Sequence, residues 1–236
     1  MTKKIVRLAV IPARGGSKRI KNKNLKNFCG QPIIKYTIDN VTQSKMFNKI
    51  HISTESKKIF NYVSKLGLKP EFYRSKSLSK DNTPIFAVLY EVYRKYLNLN
   101  IHFDEIWLIT PTSPLVNSSD YKGVSSFIKK NNFKKPILSV SNFTIPIEWA
   151  FIKNKKNILT PVEKTNQKKR SQVFSTKFFD TGSFAIFKPQ HLKNSNGKFY
   201  NGKFVGYTLS FFKSIDIDDL NDWEIAEKIY KSKIHK

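Results

Sequence analysis

The sequence predicts an α/β fold: a mostly parallel central sheet with helices on both faces, in one domain spanning residues 1–236. Three observations carry this reading. Short apolar runs alternate with stretches of helical period, which is the punctuation of βαβ units. The run Trp107-Leu108-Ile109 is apolar without alternation, as a central strand covered on both faces requires. Finally, the first apolar run leads directly into a glycine-hinged, cation-rich segment, Ile11 to Leu25, which puts a ligand loop at a strand's carboxyl end, where open parallel sheets bind their ligands.

The elements follow in order. Val6–Ile11 reads as a buried strand and Ile33–Val41 as the helix that returns from it. Ile50–Ser53 and Lys57–Leu66 form the next pair, then Glu71–Tyr73 and Pro84–Leu97, then Ile106–Ile109 and Ser119–Lys130. In the third helix Ile85, Val88, Leu89, Val92 and Tyr96 recur at three- and four-residue steps, an apolar stripe facing the sheet. Pro136–Val140 adds a strand. From about 141 to 177 the pattern breaks into short aromatic strands and loops, an excursion, before Gly182–Phe187 resumes a buried strand. Lys213–Ile217 and a helix over Asp219–Ile234 complete the fold.

Composition narrows the function classes. No apolar run approaches the ~20 residues that span a bilayer, and the amino terminus has no signal-peptide core, so a soluble cytoplasmic protein is expected. Cys29 is the only cysteine, which excludes an internal disulfide; between Phe28 and Gly30 it reads as a small apolar residue more than a nucleophile. The formal charge of +26 attracts polyanions whatever the fold, so a basic nucleic-acid-binding protein is the competing class. Against it, lysines are spread through every segment, and no helix-turn-helix, zinc-knuckle or RNP pattern is present.

The basic loop is a polyphosphate grip of an unusual kind. It contains neither Gly-x-Gly-x-x-Gly nor Gly-x-x-x-x-Gly-Lys-Ser/Thr. Gly15 and Gly16 permit positive φ and close backbone approach, so that amides can turn toward an anion, while Arg14, Lys18, Arg19, Lys21 and Lys23 supply countercharge. Taken as charges alone, these cations equally describe a solvated turn. Near the other terminus, Asp216 and Asp218 lie two positions apart, so in extended chain both face one way while Ile215 and Ile217 face the other. Such a pair suits magnesium; alternatively Asp218 or Asp219 caps the following helix. Likewise Asp81 and Thr83 either serve a ligand or simply begin the helix at Pro84.

Ala13-Arg14-Gly15-Gly16-Ser17-Lys18-Arg19-Ile20, Lys23-Asn24, Gly30-Gln31-Pro32-Ile33-Ile34 and Ser53-Thr54 resemble, in order and spacing, the CMP-nonulosonic acid synthetases, the acylneuraminate cytidylyltransferase family. Arg74, Leu78-Ser79-Lys80-Asp81, Thr110-Pro111-Thr112-Ser113-Pro114-Leu115, Arg170-Ser171-Gln172 and Ser214-Ile215-Asp216-Ile217-Asp218 extend the resemblance over nearly the whole chain. Within the family, Phe28 to Ile38, Ile145 to Phe151, Arg170-Ser171-Gln172 and Asp180-Thr181-Gly182 look most like the pseudaminic acid subgroup.

The resemblance implies a fold of nucleotide-diphospho-sugar transferase type and transfer of CMP from CTP to the anomeric hydroxyl of an acidic nine-carbon keto sugar, with pyrophosphate leaving. It implies a nucleotide site of Ala13, Arg14, Gly15, Gly16, Ser17, Lys18, Lys23, Asn24, Arg74, Asp81, Thr83 and Thr110, although Thr110 stands where sialic acid members commonly have Gln. Arg14 and Lys18 would stabilise the leaving pyrophosphate, and Asp216 and Asp218 would hold Mg2+. Ser113, Arg170, Gln172, Asp180 and Gly182 would face the sugar. The excursion would reach a partner subunit, implying a homodimer; read without the family, Phe143, Ile145, Ile147, Trp149 and Phe151 equally fit a hairpin folded back over the sheet. A sialic or legionaminic acid acceptor is the alternative within the family.

Overall fold

A computed structural model describes residues 4–131, 134–195, 197–198, 200 and 202–234. The expected alternation is present as β1 (Arg7–Pro12), the short pairs β2 (Asn27–Phe28) and β3 (Gln31–Pro32), α1 (Ile33–Ser44), β4 (Lys49–Ser53), α2 (Lys57–Lys65), α3 (Ile85–Asn98), β5 (Glu105–Ile109), α4 (Ser118–Lys130) and β6 (Ile137–Asn142). The excursion follows with the hairpin β7 (Phe151–Lys153) and β8 (Leu159–Pro161). Then come β9 (Phe178–Phe187), α5 (Pro189–Ser195), β10 (Val205–Thr208) and α6 (Leu220–Ile234).

Six strands form the central sheet in the order β10-β6-β9-β5-β1-β4. β1 pairs in parallel with β4 and β5, and β10 with β6; β9 runs antiparallel between β5 and β6. The period of two along β1 divides the core. Ala9 and Ile11 pack with α1, α2 and α4, while Leu8 and Val10 pack under α3 with Phe86, Leu89, Val92 and Tyr96. Helices therefore cover both faces, and β5 is covered on both: fully buried Trp107 packs on the α1, α2 and α4 side and Ile106 under α3.

Two expected strands are absent. Residues 71–73 form a bend, because the Glu71 side chain is drawn to Tyr96 Oη at 2.5 Å and to Lys49, and buried His51 packs on the Phe72 ring at 4.5 Å. The chain meets the sheet only past its edge, where the Arg74 amide donates to the Thr54 carbonyl at 2.9 Å. Residues 214–217 also lack a ladder, since the sheet edge is occupied by β10 and the chain leaves it through a short turn at Phe211–Lys213. Ile215 and Ile217 nonetheless face one apolar cluster, so the alternation around the aspartates holds without a strand.

That cluster decides where the chain's two ends go. Ile20 of the basic loop and Ile217 from between the aspartates are buried together with Phe28, Ile33, Leu115, Trp223 and Ala226. Phe28 meets Tyr36, Trp223 and Tyr230 edge to face, at centroid separations of 5.4, 5.5 and 5.6 Å. Burying one isoleucine from each segment against α6 sets the basic loop beside the acidic pair.

The excursion does not fold back over the sheet. Its hairpin is a separate two-stranded sheet, and Ile145, Ile152 and Val173 are each 65% exposed. Trp149 is the better-held aromatic, donating Nε1–H to the Asn166 carbonyl at 3.2 Å. No helix among the described residues is long and apolar enough to cross a membrane.

Candidate active site

A cavity of about 250 Å³ opens at the carboxyl ends of β1 and β5. Arg14, Ser17, Lys18, Arg19, Lys23 and Asn24 line one side; Thr110, Pro111 and Thr112 form the floor; Ile85 and Asp218 close it. Residues nearly two hundred positions apart thus share one space, with Arg19 Nη2 2.7 Å from Asp218 Oδ1 and Lys23 Nζ 3.8 Å from the same oxygen.

The loop is braced through its backbone. Ala13, fully buried, donates its amide to the Ser53 carbonyl at 2.9 Å, and the Gly15 amide donates to Glu55 Oε1 at 2.7 Å. Asn24 donates Nδ2–H to the Arg14 carbonyl at 2.9 Å, tying the loop's start to its end. Neither Gly15 nor Gly16 adopts positive φ, contrary to the expectation that they turn the chain. Gly15 is needed for room: a Cβ there would sit 2.9 Å from Ser56 Cβ.

The side chains face carboxylates. Asp81 binds Arg14 Nη1 through one oxygen and Lys18 Nζ through the other, each at 2.5 Å. These bonds, from Lys18 first and then Arg14, hold its carboxyl below the usual carboxylate range. Asp81 therefore does not cap α3, whose N-cap is Pro84 with no side-chain bond. Thr83 lines neither cavity and donates its amide to the Lys80 carbonyl at 3.2 Å.

The aspartate alternatives separate cleanly. Asp219 caps α6, accepting the Asp222 amide at 3.0 Å, while Asp222 Oδ2 accepts the amides of Asp218 and Asp219 at 2.9 and 3.0 Å. The Asp218 carboxylate is left for the cavity. Asp216 packs against Gly182, whose φ of +64 brings its backbone so close that an added Cβ would lie 3.3 Å from Asp216 Oδ2. Desolvation and then the Asp218 charge push the Asp216 carboxyl up, and burial lowers Lys23 against the pull of both aspartates. Among the described residues no group of three or more His, Cys, Asp or Glu gathers. A buried carboxylate disfavoured by the charge of a second one nearby fits magnesium, which takes one or two carboxylates and fills its remaining positions with phosphates and water.

A second cavity of about 180 Å³ adjoins the first, sharing Ile85 and Thr110. Its walls are mostly apolar, from Phe86, Leu108, Leu138, Phe184, Phe187 and Phe204, with Asp180 and Gly182 at the polar side. Thr110 Oγ1 donates to the Gly182 carbonyl, and Asp180 Oδ1 accepts the Gly182 amide at 2.8 Å.

Other expected residues lie elsewhere. Arg74 is buried against β4, donating to Ser53 Oγ at 3.1 Å and to the Ser53 carbonyl at 2.7 Å, and lines neither cavity. Ser113 is buried and lines neither cavity. Arg170 and Gln172 are exposed on the excursion, away from both cavities of this chain. Cys29 is half-buried and desolvation raises its pKa, which keeps the thiol protonated. Ile85, expected in the stripe facing the sheet, is instead exposed and lines both cavities, because the buried face of α3 begins at Phe86. Glu55 escaped the sequence reading; an acid at the carboxyl end of a strand beside β1 was the available signal for it.

Comparison with known proteins agrees with this geometry. A family model described as Cytidylyltransferase matches residues 8–228. Pseudaminic acid cytidylyltransferase of Campylobacter jejuni is 32% identical over 225 residues, covering 95% of this chain and 96% of that one. CMP-N,N'-diacetyllegionaminic acid synthase of Legionella pneumophila is 29% identical over 227 residues, covering 94% and 95%. Among solved structures, CMP:2-keto-3-deoxy-manno-octonic acid synthetase complexed with CTP superposes with a TM-score of 0.72 at 13% identity, over 97% of this chain and 99% of that chain, a likeness of fold. The nucleic-acid-binding alternative gains nothing from any of these matches, and the chain belongs to the cytidylyltransferase family.

Proposed function

We propose that the protein transfers CMP from CTP to the anomeric hydroxyl of pseudaminic acid, releasing pyrophosphate. One observation carries this reading: a cation-lined cavity and a mostly apolar one share a wall at Ile85 and Thr110, with Asp218 on the first and Asp216 against Gly182 of the second. A triphosphate fits the first and a sugar with acyl and methyl substituents the second, which brings the α-phosphate and the acceptor hydroxyl together at the junction. The sugar hydroxyl attacks phosphorus in line and gives up its proton to solvent, the bond to the β-phosphate oxygen breaks, and the electron pair leaves with pyrophosphate. Arg14 and Lys18 meet that charge, Lys23 anchors the nucleotide phosphates, and Asn24 serves by bracing the loop. Asp216 and Asp218 would hold magnesium, which when bound draws charge from the α-phosphate. A reaction that consumes CTP belongs in the cytoplasm.

The acceptor is inferred from chemistry and from kinship. The relative with pseudaminic acid in its name aligns end to end at 32%. The apolar cavity also favours a nine-carbon sugar ending in a methyl over the polyhydroxyl tail of sialic acid. Pyrophosphate release from CTP, measured with pseudaminic, legionaminic and sialic acids, should give the highest kcat/KM with pseudaminic acid. A preference for sialic acid, or no release with any of the three, would sink the proposal.

We also place a homodimer contact on the excursion, whose exposed Ile145, Ile152 and Val173 otherwise leave an apolar face in water. Light scattering should return the mass of two chains for the wild type and of one for an Ile145→Asp, Ile152→Asp double variant. A monomeric wild type refutes the contact.

A further inference from the structure

We propose that Glu55 is a positioning residue for nucleotide binding, holding the basic loop in its anion-gripping shape through the Gly15 amide. The proposal rests on the nucleotide-transfer reading above, and goes beyond it by assigning the loop's conformation to one side chain.

Ser53-Thr54-Glu55-Ser56 begins at the last residue of β4, leads into α2 and acts as a hub. The Ser53 carbonyl accepts from the Ala13 amide at 2.9 Å and from Arg74 Nη2 at 2.7 Å, so it joins the loop to the Arg74 segment. Ser56 caps α2. Glu55 is the charged member. Its Oε1 accepts the Gly15 amide at 2.7 Å, whereas Oε2 is buried without a hydrogen-bond partner. A desolvated carboxylate oxygen is unfavourable unless charge nearby compensates. Here Arg74, its own charge disfavoured by burial, is supported first by Glu55.

Arg14, Lys18, Arg19 and Lys23 repel one another across the loop, and three carboxylates offset that repulsion. Asp81 and Asp218 hold side-chain cations, so nucleotide phosphates compete with them for the same partners. Glu55 holds a backbone amide, so its bond is compatible with a bound nucleotide. The bond also explains the glycine. Drawing Gly15 onto the start of α2 leaves no space for a Cβ, which would meet Ser56 Cβ at 2.9 Å.

The test compares wild type, Glu55→Ala, Glu55→Gln and Gly15→Ala in three measurements: CTP binding by calorimetry, the thermal transition, and the Gly15 amide proton shift by NMR in the chains that retain it. Losing one bond to a charged acceptor should weaken CTP binding about 10-fold in Glu55→Ala. Glu55→Gln retains an oxygen acceptor and should stay within about 3-fold of wild type. Gly15→Ala, with Glu55 intact, should weaken binding as Glu55→Ala does. The Gly15 amide proton should move upfield in Glu55→Ala and much less in Glu55→Gln, and in turnover KM for CTP should rise while kcat holds. Unchanged CTP binding in a folded Glu55→Ala, a Glu55→Gln as weak as Glu55→Ala, or an unmoved Gly15 signal overturns the role. A wild type that binds CTP but turns over no acceptor refutes the functional reading instead, leaving the amide signal and the CTP affinities to judge Glu55.

Discussion

Asp216→Ala is expected to lower magnesium-dependent turnover by about 10³-fold, because an ion polarising a phosphoryl oxygen supplies several kcal/mol of transition-state stabilisation. The residue occupies a position that folding alone would not choose. Desolvation and the neighbouring Asp218 both disfavour its charge, and Gly182 closes in on its carboxylate. An unchanged magnesium titration in the variant would remove Asp216 from the metal site. A second readout follows from the same pKa shift. Because the folded state holds the Asp216 proton more tightly than the unfolded state does, the stability linked to that proton is complete below the ordinary aspartate range. It is lost as pH rises through the raised value. Asp216→Asn removes the ionisation, so in metal-free protein its thermal transition should exceed that of wild type at pH 7, with the gap narrowing toward acid pH. A gap that widens instead on acidification would show that the carboxylate stabilises the fold.

The fold was legible wherever a periodic pattern had only one way to be satisfied. Val88, Leu89, Val92 and Tyr96 of the expected stripe pack under one face of the sheet as part of α3, while Ile85, expected with them, is exposed at the cavities; in the Trp107-Leu108-Ile109 run Trp107 and Ile109 are buried and Leu108 partly so. Glu71–Tyr73 misled because its aromatics favour a strand, whereas the Glu71 carboxylate is taken by Tyr96 and Lys49. Gly15 misled for a subtler reason: a glycine reads as conformational freedom, and here it answers the steric demand of Ser56, a residue forty-one positions away. The concentration of cations after β1 was visible in the loop itself. Its meeting with Asp218 depends on Ile20 and Ile217 sharing one cluster, and single apolar residues do not announce their partners; there the family resemblance supplied what spacing could not.

Arg14→Ala and Lys18→Ala are each expected to slow turnover by about 10²-fold, the loss seen when one preorganised donor to a developing anion is deleted. Asp81 takes one of the two cations with each oxygen at 2.5 Å. Its depressed pKa keeps Asp81 anionic across the neutral range, so on the proposed reading this carboxylate is what the phosphate oxygens displace. The arrangement holds a guanidinium and an ammonium on one carboxylate, so both cations are already gathered before any phosphate arrives. It also predicts that the two positions differ. Arg14 can present two parallel N–H groups to phosphate, so Arg14→Lys should recover only part of the rate, whereas Lys18 is 82% exposed and acts as a point charge, so Lys18→Arg should recover nearly all of it. Single-turnover measurements with CTP bound in excess separate these losses from changes in affinity. Near-wild-type rates in either alanine variant would show that its cation binds nucleotide without assisting departure of pyrophosphate, and full recovery in Arg14→Lys would show that charge alone, without the fork, suffices at that position.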